Sequence, residues 1–293
     1  MKSRRSIAIV SVIVLMIIWG STFVVTKAAS REISPLALAA LRFLIASLVL
    51  VPIALARGGL RLLPQPVPWG SLVLMGLTGI AAFAITFTYA LVYGSASQGA
   101  LIYAALPAAI ALAAVAFLKE RLSKRRVGGI VLSIAGVAML IAAGERDVGS
   151  PNPVLGALWM LGAVISWAAY TVLAKRLADA DHIVSIAVVS GIGTAMLVPL
   201  AAWELAGTPW SNPPLSAWMS VLFLGVVASA LAYIVYGSAL RELDASLVGA
   251  YTNLDPIVGV LTAVLFFGET LHAGQITGGL IAFAGMWLAS SEK

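Results

Sequence analysis

The sequence predicts an all-α polytopic membrane protein, with ten transmembrane helices arranged as two inverted five-helix repeats. Three observations predict this. Hydrophobic residues make up 61% of the 293-residue chain and charged residues 10%, less than half the usual charged share, and the mean hydropathy is +1.03. Apolar runs of about 20 residues, the length that crosses a bilayer core, recur ten times along the chain. One long stretch also occurs twice without a gap, once at 90–140 and again 149 residues later.

The predicted spans are 6–29, 35–56, 68–92, 97–118, 125–144, 154–175, 183–204, 215–239, 246–268 and 273–290. Helix breakers separate them: Ser34-Pro35, Gly58-Gly59, Pro64-Gln65-Pro66, Pro151-Asn152-Pro153 and Asn212-Pro213-Pro214. Trp69, Trp203, Trp210 and Trp218 fall near span ends, where an indole suits the membrane interface. The basic start, Met1 to Arg5, resembles a signal peptide, but the apolar run behind it reaches about Val25, too long for a signal core, so no cleavage is expected.

Charge sets the orientation. The net charge is +6. Its cations lie in short loops beside apolar spans, which points to topology and away from nucleic acid. With the N-terminus in the cytoplasm, cytoplasmic segments hold fourteen of the eighteen Lys and Arg, including the run from Lys119 to Arg126. The outer loops hold only Arg31 and Arg146. Both termini are therefore expected in the cytoplasm of a cell whose plasma (inner) membrane holds the chain.

The repeat pairs Ala96 with Ala245, Ser97 with Ser246, Pro107 with Pro256, Glu120 with Glu269 and Gly136 with Gly285. A shared proline and glutamate carry more weight than shared alanines, because both are costly within apolar helices. Five spans per half turn the second copy upside down. In agreement, the basic loop after span 4 becomes a loop without those cations after span 9. The expected units are residues 1–146 and 147–293. Inverted repeats are a common plan of secondary transporters, with the substrate at the midplane between them.

The Trp19-Gly20-Ser21-Thr22-Phe23 start, the block from Ala96-Ser97 through Pro107 to Leu118-Lys119-Glu120-Arg121-Leu122, and its copy ending Gly268-Glu269-Thr270-Leu271 resemble the drug/metabolite transporter superfamily, EamA type. The resemblance covers essentially the whole chain. It implies ten helices in two inverted repeats and export of small metabolites, and is greatest to bacterial amino-acid exporters, aromatic ones included. The second half departs from the pattern at its start, with Ala168 and Ala169 where the first has Gly20 and Ser21.

Several residues carry the expected chemistry. Pro107 and Pro256 sit mid-span, where each removes a donor and frees the carbonyl four residues back; a mirrored hinge and a tolerated kink are the two readings. Trp19, Phe83, Phe87, Tyr103, Trp167, Tyr170 and Tyr233 recur at helical spacing. Mid-span rings away from the interfacial belts point to a cavity, against plain packing. Thr22, Gln98, Thr171 and Asn253 add polar points, as a mostly apolar site requires. Asp255 precedes Pro256 inside span 9, where a carboxylate costs about 2.5–3.5 kcal/mol on insertion scales; it would bind a substrate ammonium or carry a proton, or stay neutral and hydrogen-bonded. Lys27 has two readings, a cation that pairs with Asp255 or meets a substrate carboxylate, and one that snorkels to the outer surface; snorkelling is favoured, and for Arg42 more so. Glu120 and Glu269 read as anchors of tight turns, each placed just before the next helix, whose N-terminus favours an anion. The Gly129-xxx-Ser133 and Gly278-xxx-Ala282 pairs permit close helix contact, within the chain or between subunits.

These features favour a transporter of amino acids or similar metabolites, working by alternating access in the lipid bilayer, with protons as a possible coupling ion. A lipophilic-cation drug exporter of the same superfamily is the alternative. Phosphorylated sugars would call for arginine or lysine clamps. An enzyme finds no chemistry here: there is no HExxH, no GxSxG, and only two histidines, both near loops. No cofactor or metal is expected, and the absence of cysteine rules out thiolate zinc sites and disulfides. A membrane scaffold would not need polar and aromatic residues at mid-membrane depth in both halves.

Overall fold

The computed structural model describes residues 2–119, 123–142, 150–175, 177, 180–207, 212–242, 251 and 254–290. Among these residues every regular element is helical. We label them α1 (Lys2–Ala29), α2 (Pro35–Arg57), α3 (Trp69–Tyr93), α4 (Ala96–Phe117), α5 (Lys124–Ala142), α6 (Pro153–Lys175), α7 (His182–Gly207), α8 (Leu215–Ala239), α9 (Leu254–Phe267) and α10 (Ala273–Ser290). Seven helices are long and apolar enough to cross a membrane, and Val127–Leu140, Leu254–Phe267 and Ala273–Leu288 are shorter apolar helices. Leu55, Ile165, Leu265 and Phe266 lie on the outside of the bundle, a surface suited to lipid. The chain is a multi-pass membrane protein.

Three local departures shape the interior. The expected span 97–118 is two helices: Ala96–Tyr103 ends in a turn, and Leu106–Leu118 begins with Pro107 in its first turn, where a missing N–H costs nothing. Pro256 likewise falls in the first turn of α9. Finally, α3 and α8 each contain a π-helical segment, Gly76–Ala82 and Phe223–Leu231. Such segments shift the carbonyl ladder and recur at functional sites; no residue pattern announced them.

The main packing runs between the two halves of the sequence: α1 on α8 and α9, α2 on α7 and α8, α3 on α6 and α7, α4 on α6 and α9, and α5 on α10. Helices α2 and α7 run antiparallel. The Glu204 carboxylate accepts from Leu36 N and Ala37 N at 2.9 and 3.1 Å at one end, Ser47 meets Ser190 and Thr194 in the middle, and Arg57 pairs with Asp181 at 3.2 Å at the other. Helices α5 and α10 meet through glycines. A methyl at Gly136 would lie 2.7 Å from the Gly278 carbonyl oxygen, and one at Gly285 would lie 2.6 Å from that of Gly129. The small-residue stripe is therefore used inside the chain.

The turn anchors differ from expectation. Glu269 does not serve the helix that follows it. The chain turns at Gly268 (φ +62°), and the Glu269 carboxylate accepts from Ala96 N and Ser97 N, both at 2.9 Å, and from Ser97 Oγ. It thus caps α4 of the other half, where the positive helix end favours an anion. Glu120 lies outside the described residues.

Candidate functional site

Rings from both halves meet where α1, α3, α4, α6 and α8 converge. Trp167 lies 4.9 Å from Phe83 and 5.0 Å from Tyr170 between ring centroids, and stacks on Tyr233 at 6.2 Å and 14°. Phe83 stacks on Phe87, 5.4 Å away, and Phe87 and Phe23 meet Tyr103 edge-on. Trp19 faces Trp167 at 6.4 Å and contacts Tyr233 and Tyr236. Every aromatic residue named as a candidate belongs to this one connected set. Each such pair contributes about 0.5–1.5 kcal/mol beyond area burial, so the rings also hold one another in place.

Polar groups punctuate the set. Trp19 Nε1–H donates to the Ala228 carbonyl at 3.0 Å, inside the π segment of α8. Thr22 and Thr171 donate to Trp19 O and Trp167 O on their own helices; these threonines are satisfied locally. Asp255 sits in the first turn of α9, buried, and its Oδ1 has no hydrogen-bond partner. Gly20 admits this helix: a methyl there would lie 2.7 Å from the Asp255 carbonyl oxygen.

Gln98 occupies the first turn of α4, where its backbone N–H donates to the Ser95 N-cap at 3.1 Å and its buried Nε2 is unpartnered; a methyl on the next residue, Gly99, would lie 3.6 Å from the Phe23 ring. Asn253 lies outside the described residues. Among the described residues no group of His, Cys, Asp and Glu is arranged to hold a metal.

Neither in-span cation snorkels. Lys27 is buried and donates from Nζ to the Gly94 carbonyl, at the end of α3, where a cation is favoured. Arg42 is 7% exposed; its Nε–H donates to Ser229 Oγ at 2.9 Å, and its guanidinium lies 5.2 Å from the Phe43 ring centroid. Sequence reasoning favoured snorkelling for Arg42 and did not single out Ser229, its partner here. The available signal was a cation seven residues into an apolar span.

The EamA-like transporter family model matches residues 6–142 and again 154–291. The chain belongs to the EamA-like transporter family. A probable amino-acid metabolite efflux pump of Salmonella typhimurium is 29% identical over 289 residues, covering 94% of this chain and 92% of the relative. The aromatic amino acid exporter YddG of Ancylobacter novellus is 27% identical over 266 residues, 90% and 89% covered. An uncharacterised transporter of Archaeoglobus fulgidus is 29% identical over 280 residues, 95% of each chain. A solved crystal structure, 24% identical and 97% covered on both sides, superposes with a TM-score of 0.65, which establishes the shared fold. The family's members are transporters, and this chain is a transporter and not an enzyme.

Proposed function

We propose that the protein exports amino acids or similar small metabolites across the bacterial inner membrane by alternating access, with the substrate held at the midplane between two inverted repeats. The carrying observation is the aromatic set drawn from both halves, with a buried, unpartnered Asp255 oxygen beside it. A mostly apolar site with few polar groups suits a small amphipathic substrate. The rings receive its side chain, and Asp255 receives its ammonium. Relatives named as amino-acid exporters support the same direction.

The repeats are residues 1–146 and 147–293, five spans each, with α5, α9 and α10 completing the ten. Two features support the inversion. Replacing each helix by its counterpart five places on turns the α1–α9 pairing into α6–α4, α2–α8 into α7–α3, and α3–α6 into α8–α1, all of which occur. The counterparts α2 and α7 also run antiparallel. Cytoplasmic termini follow from the basic loops. Pro107 and Pro256 lie in the first turns of Leu106–Leu118 and α9 and serve as mirrored hinges about which the halves rock.

Reconstitution in liposomes tests this reading, with labelled amino acids screened with and without a pH gradient. Saturable uptake of at least one neutral amino acid is expected, lowered about tenfold or more in Asp255→Asn through loss of a charge-assisted bond. Failure to transport any amino acid, with transport of a quaternary ammonium compound instead, sinks it in favour of the cation-exporter alternative. Response of Asp255→Asn to the pH gradient, if unchanged, removes that residue from proton coupling.

A further inference from the structure

Two buried ionisable side chains, the Arg42 guanidinium and the Asp255 carboxyl, do not pair with each other. Among the described residues the salt bridge formed is Arg57–Asp181, at a helix end, and neither Arg42 nor Asp255 takes part in one. Arg42 comes from α2 in the first half and bonds Ser229, next to the Ala228 carbonyl that takes the Trp19 indole; Asp255 comes from α9 in the second half, against Gly20, the neighbour of Trp19. An unpaired charge at this depth is expensive, and its default explanation is a role in the transport path.

The protein holds Arg42 in a manner that keeps its fork available. A guanidinium has five N–H donors and binds a carboxylate through two parallel hydrogen bonds. Among the described residues Nε–H alone is committed, to Ser229 Oγ at 2.9 Å. Ser229 belongs to the π segment of α8, the segment that also takes the Trp19 indole at Ala228 O. The anchor is therefore shared with the ring set. Phe43 supports the guanidinium from its own helix. Lys27, the other in-span cation, is engaged at the Gly94 carbonyl.

Building on the export reading, we propose that Arg42, positioned by Ser229, is the carboxylate-recognition residue of this transporter. Its substrates then carry a free carboxylate on an apolar or aromatic body. Amides and esters of the same skeleton, and lipophilic cations, are rejected because they leave the guanidinium buried without an anion. Asp255 takes an ammonium where the substrate has one.

The test needs no transport. The melting temperature of the purified wild-type protein in detergent is titrated with 3-phenylpropionate and, separately, with 3-phenylpropionamide, which differ only at the carboxylate. The expected result is stabilisation by the carboxylate with an apparent affinity at least about tenfold tighter than the amide's, the worth of a charge-assisted hydrogen bond. Arg42→Gln should abolish that preference, Arg42→Lys should keep part of it, Ser229→Ala should weaken it, and Lys27→Gln should leave it intact. Equal shifts by the two probes, no shift by either, or a preference that survives Arg42→Gln overturns the proposal, the first two in the wild-type protein alone. A retained carboxylate preference in a protein that moves no amino acid in liposomes would overturn the export reading and leave this one standing.

Discussion

Gly20 shows how closely the site depends on single atoms. Helices α1 and α9 approach there with no side chain between them: a methyl on Gly20 would lie 2.6 Å from Val258 Cβ and 2.7 Å from the Asp255 carbonyl oxygen. The neighbour is backbone, so it has little room to yield. Gly20→Ala should destabilise the protein by about 1–3 kcal/mol, the usual cost of overpacking, and displace Asp255 from the rings; a lowered melting temperature in detergent together with weakened uptake is the expected outcome. At this scale the sequence was informative about rings and not about their partners. Trp19, Tyr103 and Trp167 stood out because they lie at mid-span, away from the interfacial belts. Arg42 did not, because an arginine inside an apolar span near its outer end looks like a snorkelling cation until Ser229, 187 residues away, is seen to hold it. Thr22 and Thr171 were plausible polar points, but a helix lets a hydroxyl bond its own turn, and both do.

Helix ends repay the same attention. Asp181 begins α7 as its cap, accepting from Ile183 N and Val184 N at 3.0 and 3.1 Å, and pairs with Arg57. Partial burial by itself raises the Asp181 carboxyl, but the Val184 N–H, the Arg57 guanidinium and the Ile183 N–H together hold it below its ordinary value of 3.8. A carboxyl whose folded value is depressed contributes stability that is present above 3.8 and is lost as the pH falls through the lower folded value. Asp181→Ala should cost about 0.5–2 kcal/mol near neutral pH, chiefly as a lost cap, since the exposed ion pair adds about 1 kcal/mol at most. Melting curves of the two proteins should converge on acidification below 3.8. Seven membrane-length spans were legible in the sequence, because a bilayer demands long apolar runs whatever their partners. The π segments of α3 and α8 and the break at Ala104–Ala105 were not, since tertiary contacts decide where a helix changes its ladder. Glu269 illustrates the limit: its position beside a turn was read correctly as an anchor, yet the helix it caps is α4, far away in sequence.

On the scale of the whole molecule, the two halves form one interleaved bundle. The principal pairings, α5 on α10, α2 on α7, α3 on α6 and α1 on α9, all join one half to the other. On the proposed reading, a substrate against the ring set, to which Trp19 and Trp167 both belong, touches both halves at once, and a rocking motion alters its surroundings. This arrangement makes Trp19 and Trp167, one from each half, the direct probe of the central claim. In counterflow, liposomes preloaded with an unlabelled aromatic amino acid should take up the labelled one through the wild-type protein transiently and saturably. Trp19→Ala and Trp167→Ala, each stable in detergent, should each abolish most of that exchange. Exchange that persists undiminished in both variants would contradict a substrate site between the halves.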